Sequence, residues 1–129
     1  MMSANCYILM AQIMYKLKKY QFAMDLYELA LDIFITILGK DHMDTNKIYL
    51  NLLYLAFLIK RHDKVSYFEQ KMLGALEGVC TDMTTIIFNE VGNIFRNNHK
   101  QKKALNFYQR SMYFNSTMNE WSSNFFFGI

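Results

Sequence analysis

The amino-acid sequence predicts an all-α fold built from about three tandem helical hairpins. Proline is absent from the 129 residues and only five are glycine, so the residues that form the turns of a β fold are scarce. Apolar residues recur at steps of three and four, which is the spacing of one helix face. The chain also repeats itself, because Ala23, Val65 and Ala104 hold the same place in three similar blocks 42 and 39 residues apart (65 − 23 and 104 − 65).

The first hairpin is expected over residues 4–38. Its first helix is the apolar run from Tyr7 to Leu17, and its second helix carries the apolar stripe that begins at Tyr20. The small side chains of Ala11 and Ala23 let two helices approach closely. We therefore expect these two residues at the contact between the helices, which we call the seam of the hairpin.

A short connector, Leu38–Thr45, is expected between the first two hairpins. Gly39 has no Cβ, so it can adopt the left-handed conformation that ends a helix. Asp44 or Thr45 is expected to cap the next helix by offering a side-chain oxygen to its free backbone amides.

The second and third hairpins are expected over residues 45–78 and 84–114, so the three hairpins together occupy residues 1–118. In the second, Leu53 and Val65 stand where the other hairpins have small residues, which predicts a wider crossing and an irregular repeat. In the third, Gly92 and Ala104 restore the small residues at the seam.

Residues 119–129 form an apolar tail that includes Trp121 and three consecutive phenylalanines. Repeat proteins normally end in a polar capping helix, and this segment is not polar. We expect that it folds back on the third hairpin, or that it is a truncated capping segment or the start of a lost fourth repeat, or that it contacts another chain.

These blocks resemble the tetratricopeptide repeat. Its mark is an aromatic residue early in the first helix, a small residue at the crossing, and a small-aromatic-small series along the second helix. The matching residues of the first and third copies are Tyr7, Ala11, Tyr20, Ala23, Tyr27, Ala30, Phe88, Gly92, Phe95, Ala104, Tyr108 and Ser111. The connector looks like the leucine-glycine-x-x-histidine-proline-x-threonine segment of kinesin-light-chain-type repeats, with Met43 in place of proline. The resemblance spans about residues 4–114 and implies a right-handed superhelix, an α-solenoid.

No residue pattern in the sequence predicts catalysis. The three histidines lie in turns without a second His or Cys at ligand spacing, so we expect no metal site. Cys6 and Cys80 are far apart in sequence and are expected to be buried, reduced thiols without a catalytic role. There is no glycine-rich phosphate loop. We therefore expect a protein that is not an enzyme and that carries no cofactor.

The resemblance implies a concave groove lined by the first helix of each hairpin. The residues expected there, besides Tyr15, are Asn5, Gln12, Lys47, Asn51, Tyr54, Asn89, Asn93 and Arg96. Asparagine amides can hold the backbone of an extended peptide, and in kinesin-light-chain-type repeats an asparagine matching Asn51 lies in the peptide groove. Neither Asn51 nor Asn93 is expected to be needed for helix packing. Tyr54 has an alternative role as core between neighbouring helices.

Basic residues gather at the turn inside each hairpin, and stacked hairpins would align them into a ridge. This basic ridge comprises Lys18, Lys19, Lys60, Arg61, Lys102 and Lys103. One interpretation is solvated turns, in which cations near the carboxyl ends of first helices contribute about 0.3 to 1 kcal/mol each. The other is a docking site for an acidic partner. The net charge is only +3, so nucleic acid is not an expected partner.

The function expected from the resemblance is a non-enzymatic adaptor that binds a peptide or protein segment, an acidic one if the ridge takes part. Two alternatives stay open: a structural or oligomerisation unit, which includes a fragment of a longer array and self-association through the tail, and a helical accessory domain of a multi-chain enzyme. No stretch has the ~18 to 20 uninterrupted apolar residues of a membrane span, and the N-terminus lacks the pattern of a signal peptide. We therefore expect no membrane partner. The two cysteines, expected to be reduced thiols, indicate a cytosolic or nuclear setting, and of these we expect a cytoplasmic location.

Overall fold

The computed structural model describes residues 3–77, 79 and 82–118, and over these residues it contains helices and no strand. The all-α class predicted from the sequence is confirmed. The six helices are α1 (Ala4–Lys16), α2 (Tyr20–Leu38), α3 (Met43–Leu58), α4 (His62–Leu76), α5 (Asp82–Asn97) and α6 (Gln101–Met118). None of them, so far as the chain is described, combines the length and the apolar composition that crossing a membrane requires.

The chain divides into two compact units, Met1–Glu77 and Gly78–Ile129. The first unit holds α1 to α4, in which α1 packs on α2, α2 on α3 and α3 on α4. The second unit holds α5 and α6, which pack on each other. Cys80 and the apolar tail of residues 119–129 lie outside the described residues.

The turn inside each hairpin has the same backbone conformation. Lys18, Lys60 and His99 occupy the same place in the three turns and have positive φ angles of 62°, 58° and 63°. In the first turn the Lys18 amide donates to the Tyr15 carbonyl and the Lys19 amide to the Met14 carbonyl, both at 2.9 Å. The other two turns form the equivalent pairs of bonds. This is the Schellman arrangement that ends a helix, and it recurs with the period of the sequence blocks.

Small residues form the seams of the first and third hairpins. Ala11 and Ala23 are completely buried. A Cβ added to Gly92 would lie 2.6 Å from the Tyr108 ring, so glycine is what lets α6 approach α5 there. In the second hairpin Leu53 is buried at the corresponding place, and α3 and α4 contact each other less extensively than the helices of either other hairpin.

Helix α3 is the central helix of the first unit because it packs on both α2 and α4. After the buried polar residues Thr45 and Asn46 of its first turn, the inward positions of α3 are apolar, and Leu52, Leu53 and Ala56 are completely buried. Its remaining face is exposed and carries Asn51 and Tyr54. Two-sided packing therefore fixes the direction in which these two polar side chains point.

The connector before α3 differs from the predicted cap. Gly39 has a φ of 93°, as expected for a glycine that ends a helix. The predicted cap by Asp44 or Thr45 is wrong, because α3 begins at Met43 and the Asp44 amide donates to His42 Nδ1 at 3.1 Å. The buried Thr45 hydroxyl instead donates backwards to the Gly39 carbonyl at 2.9 Å.

Asn46 holds the same connector from inside. Its Nδ2 donates to the carbonyls of Lys40 and His42 at 3.2 and 3.0 Å. Among the described residues no group donates to its buried Oδ1. Because an unpaired buried acceptor costs free energy, the two bonds made by Nδ2 are what justify an amide at this position.

Candidate functional site

A cavity of about 440 Å³ lies inside the first unit, between α1, α2 and α3. We call it the α1–α3 groove. Its lining combines two amides, three phenols, one ammonium group and one aliphatic side chain. These residues are Gln12, Tyr15, Lys16, Tyr27, Asn51, Tyr54 and Leu55.

Helical spacing gathers these side chains. On α1, Gln12 is followed at three and four residues by Tyr15 and Lys16, so the three share one face. On α3, Asn51 and Tyr54 are three residues apart and likewise share one face. Both faces are exposed to solvent, and we therefore place their polar groups at the rim of the groove.

The bottom of the groove is apolar. Tyr27 of α2 and Leu55 of α3 line the groove yet are buried. Burial raises the pKa of Tyr27, so its phenol stays protonated at neutral pH. The groove thus offers polar groups at its rim and apolar surface at its base, which is the usual composition of a binding site.

Two tyrosines connect α1 and α3 across the rim. The hydroxyl oxygens of Tyr15 and Tyr54 are 3.3 Å apart, and either can be the donor. The ring centroids of Tyr15 and Tyr54 are 6.2 Å apart. The Tyr15 ring also contacts the ring of Tyr20, at a centroid distance of 5.6 Å. A phenol carries one donor and two acceptor lone pairs. The pair therefore keeps one O–H donor and further lone pairs for another molecule.

The electrostatics of the groove are simple. The hydrogen bond to Tyr54, with a smaller contribution from burial, raises the pKa of Tyr15, so that phenol is neutral at physiological pH. Among the lining residues only Lys16 is charged. The arrangement can form several neutral hydrogen bonds and one charged one.

The structure brings together four of the residues predicted for a groove: Gln12, Tyr15, Asn51 and Tyr54. Asn5 and Lys47 are exposed on α1 and α3 but do not line it.

The other predicted groove residues, Asn89, Asn93 and Arg96, lie on α5 in the second unit. The expectation that Asn93 is not needed for helix packing is wrong, because its Oδ1 accepts a hydrogen bond from the Tyr108 hydroxyl of α6. Asn51 makes no such contact among those described.

Sequence reasoning missed Lys16, Tyr27 and Leu55 as lining residues. Lys16 follows Gln12 by four residues, and this spacing, which puts two residues on one helix face, is the signal that predicts its position. Tyr27 is one of the residues that match the repeat pattern, and it is buried. The sequence gives no signal that one edge of its ring also lines a cavity.

The residues of the basic ridge lie at the turns, as their positions predicted. Lys18 and Lys60 are the positive-φ residues, and Lys102 and Lys103 lie in the first turn of α6 in the second unit. Arg61 is already paired: its guanidinium donates to Asp63 at 2.9 and 3.1 Å. These bonds lower the pKa of Asp63 to about 2. Part of the charge of this cluster is therefore neutralised within its own turn.

The described residues contain no group of three or more histidine, cysteine, aspartate or glutamate side chains that could hold a metal ion. Cys6 is exposed, so the prediction of a buried thiol is wrong at this position. The reason is that it lies on a face of α1 that none of the described helices covers, a feature that composition cannot reveal.

Compared with models of known protein families and with curated proteins, the sequence gives no match.

Proposed function

We propose that this chain is a non-enzymatic binding module that holds an extended peptide or protein segment in the α1–α3 groove. The observation that carries the proposal is the gathering of Gln12, Asn51 and Tyr54 around one cavity, together with Tyr15 and Lys16. The proposed architecture is a right-handed superhelix of three tetratricopeptide-type hairpins, of which the groove is part of the concave face.

Support for the architecture comes from backbone and packing features with the period of the sequence blocks. The three hairpin turns share positive φ angles, at Lys18, Lys60 and His99, and the same pair of backbone hydrogen bonds. Small residues form two of the three seams, at Ala11 and at Gly92. In a repeat scaffold such features set helix spacing, while the exposed faces of the first helices are free to differ between functions.

Support for a peptide ligand comes from the rim of the groove. An extended peptide carries backbone donors and acceptors that must be paired, because leaving one unpaired in a contact costs about 1 to 3 kcal/mol. The Gln12 and Asn51 amides each offer two donors and one acceptor carbonyl, and the Tyr15–Tyr54 pair adds another donor. These groups can pair with a backbone irrespective of its side chains.

The remaining lining residues define what the segment would carry. The volume, about 440 Å³, and the apolar surface of Tyr27 and Leu55 suit a large apolar side chain. Lys16 at the rim favours a ligand in which an acidic residue is the sequence neighbour of this apolar residue.

The experiment begins with an unbiased peptide-display screen against the whole chain. The best peptide is then measured by calorimetry against Asn51→Ala and Gln12→Ala, with melting temperature recorded for each variant. We expect each variant to bind about fivefold to tenfold more weakly, which corresponds to a lost hydrogen bond of about 1 kcal/mol. The melting temperature should not change, because both side chains are exposed.

Asn5→Ala is the matched control, since Asn5 is an exposed amide on α1 that does not line the groove. Full affinity in both groove variants would place the binding surface elsewhere, with the basic ridge as the next candidate. Equal weakening by Asn5→Ala would mean that the loss is not specific to the groove.

A further inference from the structure

Helices α1 and α3 are the first helices of their hairpins, but they differ sharply in burial. An apolar face that is buried on α3 is exposed on α1. The positions correspond at an offset of 42 residues, and the pairs are Cys6 and Ile48, Met10 and Leu52, and Ile13 and Leu55. On α3 all three side chains are buried, and Leu55 is only 1% exposed. On α1 all three are exposed, and Ile13 is 57% exposed.

The cause of this difference is the neighbour on which α3 packs. Both α1 and α3 pack on the second helix of their own hairpin, so that contact does not distinguish them. Only α3 packs in addition on the second helix of a preceding hairpin, α2. The face formed by Cys6, Met10 and Ile13, which we call the head face, is therefore the counterpart of the surface by which α3 packs on α2.

The same comparison of second helices exposes a face on α6. At an offset of 81 residues, Leu105 corresponds to Met24 and Met112 corresponds to Leu31. Met24 and Leu31 are buried, and Met24 is completely so. Leu105 is 57% exposed and Met112 is also exposed. Both helices pack on the first helix of their hairpin, but α2 also packs on α3. Leu105 and Met112 form what we call the tail face, the counterpart of the surface by which α2 packs on α3.

The head face and the tail face are thus the two halves of an interface that the chain already forms once, between α2 and α3. We propose that copies of this chain associate head to tail, with α6 of one copy packed on α1 of the next as α2 is packed on α3. The occupant of the head face is a second copy because the chain itself presents, at Leu105 and Met112, apolar side chains at the positions that cover α3. The inference does not depend on a ligand in the α1–α3 groove.

The symmetry of this interface gives it a distinctive behaviour. The two contacting surfaces are different, so the contact is heterologous, and each added copy leaves one head face and one tail face free. Association therefore continues beyond the dimer, as an open chain of copies or as a closed ring. A two-fold symmetric contact between two head faces would instead stop at the dimer.

The test is sedimentation velocity of the whole chain over a range of concentrations, with one charge placed in each face. Unmodified protein should show a mass that rises past the dimer with concentration. Ile13→Asp blocks the head face and Leu105→Asp blocks the tail face, so each variant alone should be monomeric. An equimolar mixture should form a one-to-one dimer, because the first variant keeps its tail face and the second keeps its head face.

Leu9→Asp is the matched control. Leu9 is 59% exposed on α1, but its counterpart on α3, Asn51, is exposed as well, so this position lies outside the interface. This variant should associate like unmodified protein. All three substitutions replace exposed side chains, and circular dichroism with a melting curve verifies that each variant is folded.

Three outcomes would overturn the proposal. One is unmodified protein that stays monomeric at every concentration. Another is a mixture of the two blocked variants that stays monomeric while the unmodified protein associates. The third is association of Leu105→Asp alone when Ile13→Asp is monomeric, which would identify a symmetric contact between head faces.

Discussion

The turn between α1 and α2 and the connector between α2 and α3 both reverse the chain within a few residues. Backbone hydrogen bonds stabilise the turn, whereas side-chain hydrogen bonds stabilise the connector. The turn is closed by backbone bonds, from Lys18 and Lys19 to carbonyls near the end of α1. The connector is held by side chains, since Thr45 and Asn46 reach back from α3 to its carbonyls. Gly39 adds a backbone conformation that side chains disfavour.

This difference determines which residue types each segment accepts. A turn made of backbone bonds accepts any residue that tolerates positive φ, and here it accepts lysine twice and histidine once. A connector made of side-chain bonds requires a hydroxyl and an amide at fixed places. In the third hairpin the Thr84 hydroxyl, 39 residues after Thr45, likewise donates backwards, to the Val79 carbonyl at 3.0 Å.

The largest expected effect tests whether the seam, and not the turn, determines the hairpin. Ala23 lies directly after the first turn and is completely buried, so Ala23→Leu should lower the free energy of unfolding by about 1 to 3 kcal/mol through overpacking. Ala104→Leu should do the same in the third hairpin. Chemical denaturation measures both, with Phe22→Leu as the control because Phe22 is exposed. An unchanged midpoint at both alanines would refute the repeat alignment.

The next effect tests the connector. Thr45→Val keeps the shape of the side chain but removes the hydroxyl that donates to the Gly39 carbonyl in a buried place. We expect a loss of about 1 to 2 kcal/mol in the free energy of unfolding. Thr36→Val is the control, because the Thr36 hydroxyl makes the same kind of bond, to the Asp32 carbonyl, on an exposed surface. Equal losses at the two threonines would mean that burial of the connector bond does not matter.

A smaller effect of opposite sign is expected at the turn. Lys18 and Lys60 have positive φ, which costs an L-residue about 1 kcal/mol and glycine almost nothing. Lys18→Gly or Lys60→Gly should therefore raise the melting temperature, by an amount that corresponds to no more than ~1 kcal/mol. Lys19→Gly, one residue away and without positive φ, should not. Destabilisation by all three substitutions would show that the lysine side chains stabilise the turns.

The smallest effect concerns pH at the second turn. The Arg61 bonds lower the pKa of Asp63 to about 2, below its ordinary value of 3.8. A carboxyl group with a lowered pKa contributes stability above its ordinary pKa, and that contribution is lost as pH falls towards 2. Arg61→Gln should return the pKa of Asp63 towards 3.8, which a carbonyl-carbon NMR titration measures directly. A pKa that stays near 2 in this variant would assign the shift to the backbone amides of the turn.

The elements that the sequence predicted well are those determined by periodic burial. The three hairpins follow from apolar spacing, and Ala11 and Ala23 are where a seam needs small residues. Gln12 and Tyr54 lie in one cavity because they hold the same position in successive blocks, 42 residues apart.

The features that the sequence did not predict depend on surroundings that a linear pattern does not encode. Lysine has no preference for positive φ, so nothing in its chemistry marks Lys18. Thr45 fits the composition of a helix cap, but the residue is buried and its hydroxyl donates back to the Gly39 carbonyl instead. The exposure of Cys6 reflects the absence of a helix against one face of α1 among the described residues.

The three backbone-closed turns also bear on the order in which the molecule folds. Each joins residues no more than five positions apart, and the helices on either side are neighbours in sequence. Contacts this local cost little loop-closure entropy, so a hairpin can form within microseconds to milliseconds without waiting for distant parts of the chain. The connector bonds of Thr45 and Asn46 then join hairpins that are already formed. A nascent chain leaving the ribosome would accordingly gain structure one hairpin at a time, and the second hairpin would dock on the first through α2 and α3.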